Sequence, residues 1–443
     1  VVMLYFHMYQ IAKMYPEMST YLDAKGYLTR AMETAKAFYV YPYEIYPEYY
    51  DTYKWGLYNE LIVLELIDAL KSEGFPEQAQ WLTREWEKKT KYFVYDDPYP
   101  FRSEYAFDRT AFESTYALAK YGATHDMQPD RNLWFDLKLK KWWSHPDVKR
   151  EDSRAFMDRQ LASGLVVRGW LNPAYYTLGA DPGVSYMAAM GGWGVLDYAL
   201  NFAPSPYDWL QLGYASYLSS WSLVNSGTAD TNYGFWFPGR ENDGAAGWQF
   251  MSSKAGSAWM GSSYPGGVTE PRGPWHYDGE IDLGFGGALR MAATVVTKDP
   301  TFGWLAYGGT LKETGADTVR GTALLVNPRD GLRRRLDIVL QDRGLPFSDS
   351  LSRFKLELER DGFDKTKDIV IDKALSSIAF TLENRTSAAH MTGVRLSLPV
   401  NSHYALPVAR MNVPPLATAP PDYPWRAEIS ATASGASVVL KKQ

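Results

Sequence analysis

The sequence predicts an α+β multidomain protein, an (α/α)6-type helical toroid followed by an antiparallel β-sandwich. Three observations predict it. Apolar residues recur at helical spacing from residue 1 to about 225. From about residue 300 they fall instead into short alternating or β-branched runs separated by turn residues. The length of 443 residues exceeds one small core and favours two or three domains. These readings place the toroid over 1–298, with a long loop region at 226–283, and the sandwich over 299–443.

In the first part the spacing predicts helices over about 1–15, 27–40, 55–73, 77–93, 103–121, 151–166, 184–202 and 206–225. Leu61, Leu64, Ile67 and Leu70 repeat at three-residue steps, and Gly74 stands where a C-cap belongs. Gly122 is expected to end its helix in the same way. Glu151 and Asp152 place acid in a first turn, which complements the helix dipole. No fixed-period repeat is present, which favours a closed toroid over an open solenoid. The apolar start at Val1 reads as the middle of a helix. It predicts association with an N-terminal segment of the same precursor.

Residues 226–283 are rich in Gly, Ser, Pro and Trp, and a loop of that length is expected to be functional. Residues 284–296 read as the last helix of the toroid. The expected strands are Thr322–Asn327, Leu336–Leu340, Phe354–Glu359, Asp368–Asp372, Ser377–Leu382, Val394–Leu398 and, after the Pro-rich coil Pro414–Pro424, Ala436–Leu440.

The net charge of −5 is spread over the chain and no basic stripe points to nucleic acid. No apolar run approaches the roughly 20 residues of a membrane helix. The chain has no cysteine, so disulfides, thiolate nucleophiles and cysteine metal sites are excluded. Its 6 histidines form no metal-spaced pair, and neither Gly-x-Ser-x-Gly nor a phosphate- or dinucleotide-binding glycine motif occurs. No cofactor is required on this reading. What stands out is 16 Trp and 32 Tyr, many of them in Gly/Pro-rich segments, which points to an aromatic-lined groove.

Two motifs carry the chemistry. Arg272-Gly-Pro-Trp-His-Tyr-Asp-Gly-Glu-Ile-Asp282 sets Asp278, Glu280 and Asp282 beside Trp275, His276 and Tyr277. Gly234-Phe-Trp-Phe-Pro-Gly-Arg-Glu-Asn-Asp-Gly244 sets Glu241 and Asp243 beside Trp236 and Arg240. Aromatic rings stack on the C–H faces of sugars, and paired carboxylates do acid–base and nucleophilic work on glycosidic bonds. The acidic triplet is also compatible with a structural Ca²⁺; Glu280 or Asp282 also suits a cap of the next helix, and Glu241 and Asp243 suit a solvated Asx-turn. Phe101–Glu113 adds Glu104 and Asp108, four apart on one helix face, as catalytic candidates. Tyr49–Glu60 adds Tyr53 and Trp55 as a stacking platform. Arg240, Arg272, Trp236, Trp275, His276 and Tyr277 complete the substrate-binding set.

A helical toroid followed by a sandwich resembles the carbohydrate-active toroid enzymes, which include glucoamylase-like hydrolases and chondroitin- or alginate-type lyases. The motifs Tyr99–Glu113, Gly239–Trp248 and Trp275–Gly286 are similar to those of an uncharacterised family of large exported bacterial and fungal proteins with a six-hairpin toroid. The resemblance implies a secreted or periplasmic protein acting on polysaccharide or oligosaccharide, and supplies no catalytic assignments. Acidic loops repel uronates, so a hydrolase of neutral glycans with a two-carboxylate mechanism is expected. A lyase using Asn242, His276, Tyr277, Arg240 and Arg272 by β-elimination, and a non-catalytic glycan-binding protein, are the alternatives.

Overall fold

The computed structural model describes residues 1–19, 21–45, 60–95, 109–127, 130–136, 141–145, 148–168, 194–224, 289, 291–315, 322–341, 351–386, 388–398, 404–405, 411–412 and 425–442. The chain is α+β, with helices in its N-terminal part and two sheets rich in antiparallel pairing in its C-terminal part. It divides into two compact units, one of residues 1–195 and 215–288, the other of 196–214 and 289–443.

The first unit holds α1 (Val2–Met14), α2 (Ala24–Ile45), α3 (Ile62–Ser72), α4 (Pro76–Tyr95), α5 (Arg109–Thr124) and α6 (Arg150–Arg168). Consecutive helices pack in pairs, α1 on α2, α3 on α4 and α5 on α6, and α4 also meets α5. Each begins and ends for local reasons. Asp23 Oδ1 accepts the Gly26 N–H at 2.7 Å and caps α2. Gly74 has φ of 83°, and Phe75 N–H bonds Leu70 O at 2.8 Å while Gly74 N–H bonds Lys71 O at 3.4 Å, the Schellman closure of α3. Pro76 then opens α4 at the position where a missing N–H costs nothing.

Two sequence expectations in this unit are corrected. The buried face of α3 is Ile62, Val63, Leu66, Ile67, Ala69 and Leu70, whereas Leu61 and Leu64 are half-buried. A strict three-residue step falls short of a full turn by about 60° each time, so Leu61 and Leu70 lie on opposite sides of the helix. Gly122 lies inside α5 and does not end it. A Cβ there would stand 2.2 Å from Ser153 Oγ of α6, so the glycine marks a close helix crossing. A hairpin absent from the expectation joins α5 to α6, β1 (Asp130–Asp136) with β2 (Lys141–His145).

The second unit contains helical residues 194–201 in part, the start of α7 (Pro206–Val224), and strands β3 (Thr294–Asp299), β4 (Gly303–Tyr307), β5 (Gly309–Glu313), β6 (Ala323–Pro328), β7 (Arg335–Gln341), β8 (Leu351–Leu358), β9 (Gly362–Phe363), β10 (Ile369–Asp372), β11 (Ser377–Glu383), β12 (His390–Ser397), β13 (Tyr404–Ala405), β14 (Met411–Asn412), β15 (Trp425–Ala431) and β16 (Ala436–Lys442). One sheet runs β13-β16-β11-β10-β6-β5 with β9 on β11, the other β14-β15-β12-β8-β7-β3-β4. All pairs are antiparallel except β3 with β7. Burial alternates along β10, β11 and much of β15, while β3 is buried at consecutive residues. Phe354, Leu356 and Leu358 of β8 and Val394 and Leu396 of β12 join Ile378, Phe380 and Leu382 of β11 and Val438 and Leu440 of β16 in one apolar cluster.

The expected strands in this part appear in place, but the expected helix over 284–296 does not extend to its end. Thr294-Val-Val-Thr is the start of β3, and its β-branched residues favour a strand where a short apolar run leaves the period ambiguous.

Candidate functional site

The sequence candidates lie outside the described residues. This holds for the catalytic set Glu104, Asp108, Glu241, Asp243, Asp278 and Glu280, and for Tyr53, Trp55, Trp236, Arg240, Arg272, Trp275, His276 and Tyr277. Among the described residues of the first unit, buried titratable groups lie on α4 and the helices around it.

The buried stripe of α4 runs Ala79, Leu82, Trp86, Lys89 and Phe93. Its spacing is that of a core-facing helix, and one of its places is taken by a lysine. The Lys89 ammonium has no exposure and is ion-paired with Glu60, which is equally sealed. It also stands 5.8 Å from the ring centres of Phe38 and of Phe93. Burial pulls the Lys89 ammonium below its ordinary value, against the pull of Glu60 in the other direction. Tyr39 is pushed well above its usual range, first by burial and then by the charges of Glu60 and Glu85. Glu85 in turn is ion-paired with Lys88 at 2.9 Å.

A second pair lies on the other side of the same helix. Tyr121 Oη of α5 donates to Glu87 Oε1 at 3.1 Å. Burial raises the Glu87 carboxyl, although the bond from Tyr121 and the charge of Lys91 work to lower it. Burial, the Glu87 charge and bond, and Asp68 raise the Tyr121 hydroxyl. The Tyr121 ring stacks on His125 at 4.0 Å and meets Trp86 edge-on at 6.1 Å. The Glu87–Tyr121 bond ties α4 to α5, and the sealed Glu60–Lys89 pair acts as a pin between α4 and the start of α3. Sequence reasoning missed Lys89, Glu87 and Tyr121. The legible signal was a lysine at a core position of the α4 stripe.

No group of three or more metal-ligating side chains is present among the described residues. No helix among them is long and apolar enough to cross a membrane. A profile of a family of unknown function (DUF5695) matches residues 1–131, which spans α1 through the first residues of β1. No curated protein and no solved structure matches the chain.

Proposed function

We propose that this chain is an exported carbohydrate-active enzyme, a glycoside hydrolase that cleaves a neutral polysaccharide or oligosaccharide. The observation that carries the reading is the pairing of carboxylates with aromatics in two Gly-rich segments, Gly234–Gly244 and Arg272–Asp282. The paired helices of the first unit support a toroid, whose centre is a natural place for such loops to meet. Glu241 or Asp243 would act with Asp278 or Glu280 as acid and as base or nucleophile, with Glu104 or Asp108 on the groove floor. Such carboxyls stand about 5–5.5 Å apart in retaining enzymes and about 6.5–9.5 Å apart in inverting ones. Packing against Trp236 or Trp275 would keep one protonated, while Arg240 or Arg272 would keep the other ionised.

The test is a reducing-sugar screen on neutral and acidic polysaccharides, read together with absorbance of unsaturated uronate products. Single amide substitutions at Glu241, Asp243, Asp278 and Glu280 should lower turnover by roughly 10²–10⁴ at the acid and at its partner. Full activity in all four folded variants would overturn the assignment. Unsaturated products that vanish on changing His276 or Tyr277 would replace it with β-elimination.

A further inference from the structure

Helix α1 is apolar on two opposite sides, and only one of them is packed. Phe6, Tyr9 and Ala12 are its buried residues, and α1 packs on α2. A helix turns about 100° per residue, so Leu4, Ile11 and Met14 stand on the side away from that buried row. Leu4 is 61% exposed, Ile11 36% and Met14 40%. The apolar run continues past the helix in Met18 and Tyr21, which are 68% and 78% exposed. Most of the exposed large hydrophobics among the described residues thus fall within the first 21 positions. That concentration separates a local surface from the scattered apolar side chains that any protein exposes. A helix that is apolar all round belongs in an interior, so this one is built to be covered on its second side.

Charge and area say what covers it. Lys13 is the one lysine, arginine or carboxylate of α1, and it is ion-paired with Glu73 at the end of α3. His7 is the polar member of the exposed side, and its Nδ1 stands 2.9 Å from Gln10 Oε1. Glu17 flanks the run just beyond the helix. A side built from Leu4, Ile11 and Met14 meets a copy of itself without like-charge repulsion, which is what a two-fold contact between identical patches requires. At about 200 Å² for a whole large residue, the exposed fractions of Leu4, Ile11, Met14, Met18 and Tyr21 come to roughly 550–600 Å². Two copies then bury about 1,100–1,200 Å², at the lower end of specific interfaces, so the contact is reversible and not obligate. We infer that the exposed side of α1, extended by Met18 and Tyr21, is the contact between two copies of this chain in a symmetric dimer. The inference is independent of the carbohydrate reading above.

The experiment is sedimentation velocity of the full chain over about 1–100 μM, with thermal melting to monitor folding. A monomer–dimer equilibrium is expected within that range. Leu4→Glu and Met18→Glu each bring two carboxylates to a two-fold contact, one from each copy. Each should weaken the dimer tenfold or more and leave the melt unchanged, because both side chains face solvent in one copy. Leu4→Met should keep the dimer. Met391→Glu, at a position 55% exposed on β12, is the control and should also keep it. A monomer at every concentration overturns the proposal. So does a dimer that both glutamate variants leave intact, or one that Met391→Glu dissolves. A monomer that instead sediments with phosphatidylcholine vesicles, or that binds an apolar segment of a longer precursor, assigns the surface to that occupant and removes the dimer.

Discussion

Replacing Lys89 by methionine tests whether the sealed ion pair of the helical unit is a pin. The change keeps most of the apolar stem of the side chain beside Phe38 and Phe93, but removes the ammonium from the buried Glu60 carboxylate. Breaking a buried pair from one side costs roughly 3–5 kcal/mol, because a charge is left in low dielectric without its counter-ion. In a unit of this size each kcal/mol moves the melting midpoint by about 2–4 °C, so a drop of roughly 6–20 °C is expected. The double variant Glu60→Gln with Lys89→Met removes both charges and should recover most of that loss, since replacing a whole buried pair is often close to neutral. Differential scanning fluorimetry, with the wild type and each single variant alongside, closes the cycle. A Lys89→Met melt within about 2 °C of the wild type, or a double variant no better than the worse single, refutes the argument.

Other expectations follow from particular contacts. Gly122→Ala should lower the melting midpoint by the cost of overpacking, about 1–3 kcal/mol, because its Cβ would stand 2.2 Å from Ser153 Oγ and 2.9 Å from Ser153 Cβ; Ser153→Gly should partly rescue it. Gly435→Ala should destabilise the β15–β16 turn more strongly, since φ is 91° and the new Cβ would lie 2.0 Å from Leu382 O, a backbone atom; a midpoint unchanged in urea would contradict this. Glu359 accepts bonds from Arg395 at 3.0 Å and from Arg426 at 2.8 Å. Burial alone would raise its carboxyl, but the two arginines outweigh burial and hold it below its ordinary value of 4.5. A folded value below the unfolded one gives stability that is present above the unfolded value and lost as pH falls through the folded one. Glu359→Gln should therefore be less stable than the wild type at neutral pH, and the gap in urea midpoint should close as pH drops below about 4.5; a gap constant with pH would sink this assignment.

Much of the framework was legible because period is a local property. The strands around Phe354, Ile378 and Val438 alternate, and the helices around Leu28, Leu82 and Phe156 recur every three to four residues, so burial of one face follows from each segment alone. Where a segment is too short to show a period, that reading fails. Thr294-Val-Val-Thr fits a helix end as well as a strand start, and it becomes β3 through pairing with β4 and β7. The β1–β2 hairpin escapes that reading because the adjacent aromatics Trp134-Phe135 and Trp142-Trp143 break the apolar–polar alternation that marks a strand in the sequence. Gly122 shows the same limit from another side, since a glycine at a helix crossing and a glycine at a helix end look alike until the neighbouring helix is in place.

The buried charges lie beyond local reading for a deeper reason. The sealed Glu60 and Lys89 are 29 residues apart, the buried Asp361 and its hydrogen-bond partner His390 also 29, and the half-buried Glu359 and Arg426 67. An apolar residue needs only to be out of water, and any apolar neighbour serves. A buried charge needs one partner at hydrogen-bond distance, and its desolvation is offset nowhere else. Such a residue is therefore visible in the sequence only as a misfit: Lys89 in the stripe Ala79, Leu82, Trp86 and Phe93, or Asp361 beside the core residue Phe363. The misfit states that a partner exists without stating which. The carboxylates Glu241, Asp243, Asp278 and Glu280 stand in no periodic stripe of the sequence, so their residue types point to a chemistry while their pairing rests on experiment. The amide variants at these four positions therefore decide the reaction, because each removes one carboxylate while leaving the size of its side chain nearly unchanged.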